Sequence, residues 1–330
     1  MTPLRLRVAQ LVCRRLPPMG ARRIGERIYP RSAGRRDAYR FVTQSLTGSY
    51  FTGTTADYNA HQLAVYGRNV WRNWVVAMAL SAPADTIVEV GANVGTETVG
   101  FSDLVGAAGR VFAFEPMPDN VAALAGTIPL MTYPNVEVLP FAVGEARTVL
   151  SFASPPPSAR SQGTGHILGP GERHGGRVTY HEQEVDWPVI EVPCVTLDSQ
   201  AERLGAAQLV FIDAEGAEVG IVRGGADYIR AHEPGLVVEV APDHLTRAGT
   251  SVEELHETLS ELGYETFAFR TLGFELLDAP DSSIAPCDWL CLPRSRVQAV
   301  RSVARLLRRC ALTPCIPRVN PLVGGRRPSS

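Results

Sequence analysis

The stretch TIVEVGANVG, residues 86–95, decides how the rest of this chain is read. β-Branched residues and one acid run straight into a glycine turn, and a helix-like pattern follows. Gly91 and Gly95 stand four apart around Asn93, where a strand should end. Glycine at such a place lets something approach the backbone without meeting a Cβ. A helix opening there also offers unpaired N–H groups to an electron-rich ligand. Twenty residues past Gly95, at the end of the next strand-like run, stands Glu115. A carboxylate at that place can hold both hydroxyls of a ribose. Turn and acid together predict a nucleoside-containing cofactor.

The same turn discriminates between cofactors. A dinucleotide site uses G-x-G-x-x-G, whose middle glycine admits the pyrophosphate. Here the middle position is Asn93 and the sixth is Thr96. A side chain at 93 obstructs a pyrophosphate yet can hydrogen-bond a smaller polar group. S-Adenosylmethionine has no phosphate and presents an amino-acid end, which suits this turn better. A tight turn with no ligand would leave Glu115 an unexplained acid at a strand end.

Outward from the turn, short apolar runs alternate with helical patterns. TIVEV (86–90), RVFAFE (110–115), VEVLPFAV (136–143), LVFID (209–213), GLVVEV (235–240), YETFAF (264–269) and WLCL (289–292) read as strands. Helical stretches fall at 96–107, 118–126, 217–231 and 251–262, the last capped by Thr250 or Ser251. This alternation predicts an α/β fold with an open, mainly parallel sheet and helices on both faces. The expected organisation is an arginine-rich, mainly helical extension over 1–84, a catalytic domain over 85–293 and a basic tail over 294–330. Residues 154–187, rich in Pro and Gly and without a period, interrupt the domain as a lid or loop. They lie between TVLSFA (148–153) and VIEVPCVTLD (189–198), which can pair as a hairpin.

Composition sets limits. No apolar run approaches the ~20 residues of a membrane helix. The longest, WVVAMALSA (74–82), reads as a buried helix. Arg14 and Arg15 interrupt the first apolar segment, so no signal-peptide core develops and a cytoplasmic location is expected. Six dispersed cysteines make no disulfide framework, and neither they nor His166, His174 and His181 have metal-site spacing, so no metal is expected. All 32 basic residues are arginine; residues 1–40 and 289–330 each carry a net +9, which leaves the middle of the chain strongly acidic. An acidic catalytic region would repel nucleic acid. The basic ends read either as solvated tails, with arginine favoured by base composition, or as amphipathic segments that touch an anionic membrane surface or the acidic core.

VEVGANVGTET, VFAFEPMPDN, VEVLPFAVG, VTLDS, LVFIDAEGAEVGIVRGGADYI and GLVVEV follow one another in the order and spacing of the FkbM family of S-adenosylmethionine-dependent methyltransferases. The chain resembles that family over roughly 85–270. The resemblance implies a seven-stranded class I methyltransferase (Rossmann-like) fold and methylation of a hydroxyl on a sugar, glycolipid, glycan or polyketide-type metabolite. It places Glu89, Gly91, Asn93 and Gly95 around the methionine part of the cofactor and Glu115 on the ribose. Ala142 and Val143 would border the adenine, and Asp213 and Glu215 would face the methyl group and the acceptor. Two positions depart from the pattern. Phe211 stands where a lysine is usual, and Glu89 where an aspartate is common.

An alcohol acceptor needs its proton removed during attack. Asp213, Glu215, Glu239 and His244 all lie at or just past carboxyl ends of strands, where open α/β sheets place their sites. Asp213 or Glu215 ranks first as base and His244 next, while Glu239 suits an acceptor hydroxyl. Alternatively, Asp213 and Glu215 organise a turn and cap the helix beginning near Ala217. The rival functions are a non-catalytic scaffold that binds the same cofactor and a nicotinamide-dependent oxidoreductase.

Overall fold

The computed structural model describes residues 2–153, 166–167, 177–180, 183–186 and 188–325. Helices α1 (Leu4–Cys13), α2 (Pro18–Ile28) and α3 (Arg31–Arg36) each begin just after a proline, Pro3, Pro17 and Pro30. The fixed φ of proline suits a helix entry, where its missing N–H is no loss. An antiparallel hairpin follows, β1 (Arg40–Gln44) with β2 (Tyr50–Thr54), so the N-terminal region is not helical throughout. Asp57 caps α4 (Tyr58–Tyr66) by accepting the Ala60 N–H at 2.8 Å, and Gly67 ends it at φ 70°. Helix α5 (Trp71–Leu80) contains most of the apolar run expected to be buried, and Trp74 to Met78 are buried.

The glycine turn then leads the main sheet. β3 (Thr86–Val90), α6 (Thr98–Val105), β4 (Arg110–Phe114), α7 (Pro118–Thr127) and β5 (Val136–Leu139) wind outward to one edge. Pro140 ends β5 because it cannot donate to a ladder. The run VEVLPFAV is therefore two strands. β6 (Ala142–Val143) leaves the main sheet for a smaller one with β7 (Thr148–Ala153), β8 (His166–Ile167) and β11 (Val189–Val195). In it β7 and β11 are antiparallel neighbours, pairing Thr148 with Cys194 and Ala153 with Val189. β9 (Arg177–Tyr180) and β10 (Gln183–Asp186) form a separate antiparallel pair. The rest of the insertion, with His174, His181 and the lid reading, lies outside the described residues.

After α8 (Ala201–Leu204) the chain crosses to the other half of the sheet. β12 (Leu209–Ile212), α9 (Glu218–Arg223), α10 (Ala226–His232), β13 (Gly235–Val240), α11 (Pro242–Arg247), α12 (Val252–Glu261), β14 (Tyr264–Arg270), β15 (Gly273–Leu276) and β16 (Cys287–Pro293) follow. Gly224 and Gly225 split the expected helix 217–231 into α9 and α10. Ser251 rather than Thr250 caps α12, accepting the Glu254 N–H at 3.2 Å. The strand order is β15-β14-β16-β13-β12-β3-β4-β5. β16 runs antiparallel to both neighbours, and β3, β4, β5, β12 and β13 are parallel. Seven of these strands make the class I methyltransferase arrangement. The eighth, β15, is a four-residue return onto β14 at the edge, too short and too exposed for a periodic signal.

Alternate strand residues feed the two faces. Ile87, Val111, Leu209 and Val237 join one core with α5 and α6; Val88, Phe112, Val210 and Leu236 join the other with α9, α10 and α12. The segment after β16 also packs. Helix α13 (Ala299–Leu312) buries Val303, Leu307 and Cys310 in the first core, and the Cys315 N–H reaches the Arg15 carbonyl at 3.0 Å. The two basic ends of the chain thus meet on one side of the sheet. All six cysteines are free.

Candidate active site

β3 and β12 are neighbours whose following connections wind in opposite directions, and open sheets bind ligands at such a switch point. A cavity of about 640 Å³ lies there. Its lining includes Glu89, Gly91, Asn93, Glu115, Ala142, Val143, Asp213, Glu215 and Glu239. Gly95 and His244 are the two site residues read from the sequence that do not line it.

The glycines answer first to the protein itself. Gly91 has φ 89°, and a Cβ on it would stand 1.8 Å from the Asp213 carbonyl oxygen. Gly95 has φ 86°, and its Cβ would meet Leu124 at 2.4 Å. What comes close to this backbone is thus the end of β12 on one side and α7 on the other. Asn93 adopts φ 51°, and its Oδ1 accepts the Val94 N–H at 2.7 Å. Asparagine tolerates that left-handed conformation better than most residues.

Glu115 ties the turn to β4. Its carboxylate accepts the Asn93 N–H at 2.7 Å, the Met117 N–H at 2.8 Å and the Asn120 amide at 3.3 Å. Burial nevertheless pushes it up to about 7, against those three bonds. Glu89, 5% exposed, is pushed up to about 8 by burial, with the Thr98 hydroxyl at 2.6 Å working against the shift. Phe211, at the usual lysine position, stacks on Phe101 with centroids 4.3 Å apart and brings no charge to Glu89 beside it in the ladder.

Two further acids escaped the sequence reading. Glu97 accepts the Asn73 amide at 2.7 Å and, by burial and the nearby Glu89, is held well above the usual carboxylate range. Asp288, opposite Glu239 in the ladder, is raised by burial to about 6. Both border a second cavity of about 220 Å³ that shares Glu89, Gly91, Asp213 and Glu239 with the first. Glu97 lies within the VEVGANVGTET run without standing out there, and Asp288 lies in no quoted motif.

Beyond β12, Asp213 and Glu239 are hydrogen-bonded to each other. The charge of Asp213, with burial, raises Glu239 strongly, so Glu239 keeps the proton and donates it to the Asp213 carboxylate. The turn is held by a different acid. Buried Glu218 accepts the Ala214 N–H at 3.1 Å and the Gly216 N–H at 3.2 Å. That leaves the Asp213 and Glu215 side chains to the cavity. Glu215 has φ 54°, unusual for a non-glycine residue, and its Oε2 lies 3.0 Å from His244 Nδ1. The Glu215 carboxylate beside it raises His244, so the imidazole is held towards its charged form.

Glu89, Glu97, Glu115, Asp213 and Glu239 thus crowd one side of the cavity, and among the described residues none has a basic partner within ion-pair distance. Such a floor suits a cationic ligand and opposes a pyrophosphate. The residues present could hold a sulfonium nucleoside, with carboxylates near its charge. The other side is built by the extension, with Tyr58, Asn59, Gln62, Tyr66, Asn69 and Trp71. Asn69 joins the two sides by donating to the Thr96 hydroxyl at 3.1 Å. The local sign of these residues in the sequence is the recurrence of aromatic residues over 50–74.

Residues 89–266 match the family described as Methyltransferase FkbM domain. No curated protein matches the chain. Among solved structures, the chain is similar to the methyltransferase FkbM from Methylobacillus flagellatus KT, at 15% identity, 62% of this chain, 43% of that one and a TM-score of 0.38. The chain thus spans less than half of that protein. It is also similar to a SAM-dependent O-methyltransferase from Thermotoga maritima, at 10% identity, 77% of each chain and 0.39. An O-methyltransferase from Bacillus cereus, solved in complex with SAH, gives 12%, 68% and 80% of the two chains, and 0.35. With over half of its length inside the family match, the chain belongs to the FkbM family of S-adenosylmethionine-dependent methyltransferases.

Proposed function

We propose that the chain is an S-adenosylmethionine-dependent O-methyltransferase acting on a hydroxyl of a sugar, glycolipid or secondary metabolite. The observation that carries this reading is the unpaired carboxylate floor beneath the glycine turn. Glu89, Gly91, Asn93, Glu115, Ala142 and Val143 would hold the cofactor, whose contribution is an electrophilic methyl group on sulfur. The aromatic and amide side chains of the extension suit a hydroxyl-rich acceptor, with rings for apolar sugar faces and amides for hydroxyls.

Asp213 is the best-placed base. Glu239 holds the shared proton, so Asp213 stays ionised and can take the proton of the acceptor hydroxyl. Glu215, held by His244, orients the acceptor or the base. Replacing Asp213 by Asn should lower kcat by about 10²–10⁴ while SAH affinity stays nearly intact. Glu215→Gln should mainly raise KM. Release of SAH, followed over a panel of sugar and glycolipid acceptors, measures both. Wild-type turnover by Asp213→Asn would move the base to Glu215, the other acid of this turn that lines the cavity.

We further propose that the basic ends meet an anionic membrane surface. An exposed stripe on α1, Leu4, Val8 and Leu11, lies on the same side of the sheet as exposed Leu312, Ile316 and Val319, among exposed arginines. Among the described residues no helix is long and apolar enough to cross a membrane, so the contact would be peripheral.

A further inference from the structure

Arg68 is a buried charge that methyl transfer, as derived above, does not use. It follows Gly67 at the turn between α4 and α5, is 4% exposed, and lines the large cavity. Its Nη1 donates to the Tyr66 carbonyl oxygen at 3.1 Å and approaches Cys315 Sγ at 3.7 Å. Among the described residues no carboxylate pairs with it. A guanidinium carries five donors in a planar fork and keeps its charge in a protein interior. Burying that charge without a counter-ion is strongly unfavourable. The neighbouring half-buried Arg14 adds like charge.

Two more arginines line the same cavity, Arg22 on α2 and Arg31 on α3. The Arg31 guanidinium lies 3.9 Å above the Tyr58 ring, which fixes its plane. Cavity charge is therefore divided by origin: carboxylates from the ends of the sheet strands and the α6 entry, guanidinium groups from the N-terminal helices and the turn. Asn69, next to Arg68 in sequence, donates to the Thr96 hydroxyl at 3.1 Å, just past the glycine turn, and Arg68 itself lines the same cavity as that turn.

We propose that Arg68, with Arg22 and Arg31, forms an anion subsite that takes a carboxylate or phosphate group of a bound ligand. The identity of that ligand rests on the methyl-transfer reading. The anion is either the carboxylate of the cofactor's amino-acid end or an acidic group on the acceptor. Planar, bidentate pairing suits arginine to both.

Calorimetry on the full chain separates these sources. SAH carries the amino-acid end, and 5′-methylthioadenosine lacks it. Inorganic phosphate, added to SAH-loaded protein and compared with chloride at equal ionic strength, probes the acceptor side through the melting temperature. If the cofactor carboxylate is the anion, Arg68→Gln weakens SAH at least about tenfold and leaves methylthioadenosine unchanged. If the acceptor supplies it, Arg68→Gln leaves both nucleosides unchanged and abolishes the stabilisation by phosphate seen in the wild type. Arg68→Lys, which keeps the charge, should restore part of either effect. Should Arg68→Gln fail to fold, the wild type still decides: equal affinity for the two nucleosides and no phosphate effect overturn the subsite. A folded Arg68→Gln that matches the wild type in every measurement overturns it as well. Failure of the wild type to bind either nucleoside would sink the methyl-transfer reading, and the phosphate comparison would still judge the subsite.

Discussion

At the residue scale, Glu89 shows how one missing charge reshapes a site. Burial raises the carboxyl to about 8 from an ordinary 4.5, and Phe211, where a lysine is usual, puts no cation beside it in the ladder to oppose the shift. The unfolded chain therefore releases this proton first as pH rises, and the folded form binds the extra proton between the two values. Stability of the ligand-free protein falls across that window, by on the order of a few kcal/mol for a group this buried. Glu115, raised to about 7, pulls in the same direction. The melting temperature without ligand should accordingly drop from about pH 6 to about pH 8, and Glu89→Gln should shrink the drop. A mutant with the full wild-type slope would mean that Glu89 does not titrate in this range. Gly91 shows the opposite limit, since the Asp213 carbonyl leaves no space for any side chain there.

At the scale of elements, the turn between β12 and α9 divides its work among three acids. By its spacing IDAEGAE offers Asp213 or Glu215 as the cap of the helix, yet Glu218 holds the Ala214 and Gly216 N–H groups. Its reach back from the first turn of α9 explains why Asp213 and Glu215 remain available to the cavity. Glu218→Ala should leave two buried donors unpaired and cost about 1–3 kcal/mol, read as a lower melting temperature. Glu215→Ala should cost far less, because its backbone sits at φ 54° whatever its side chain does. Equal losses from the two would return capping to Glu215. The break of VEVLPFAV at Pro140 matters in the same way, because it swings Ala142 and Val143 out of the main sheet and onto the cavity.

Over the whole molecule, the two arginine-rich ends converge. The Gly324 N–H meets the Leu46 carbonyl at 2.7 Å, and α13 lies on α5, so residues far apart in sequence form one layer beside the cavity. Exposed on that layer are Leu4 and Leu11, 76% and 62% exposed, and Arg5, Arg7, Arg308 and Arg309. The protein should sediment with vesicles containing phosphatidylglycerol and not with phosphatidylcholine alone, and salt should release it. Leu4→Ser combined with Leu11→Ser should weaken this sedimentation several-fold without lowering the melting temperature. Equal sedimentation with neutral vesicles, or none with anionic ones, would leave the basic face a solvated surface.

The amino-acid sequence by itself determined the seven strands of the methyltransferase arrangement, the glycine turn, Glu115 at the next strand end and the family. Each of these is written in a short window: apolar runs of strand length, glycines at a turn, an acid at a fixed offset. Only the tertiary structure decided which acids share a proton, which one holds the turn, and what the extension does. Glu89, Glu97, Glu239 and Asp288 become one acidic floor because strands distant in sequence are neighbours in the sheet. Arg68 gains its meaning from a cavity whose opposite side is built by residues that run from Glu89 to Glu239 in sequence. Protonation depends on burial and on charges brought close by folding, and no local pattern of residues encodes either.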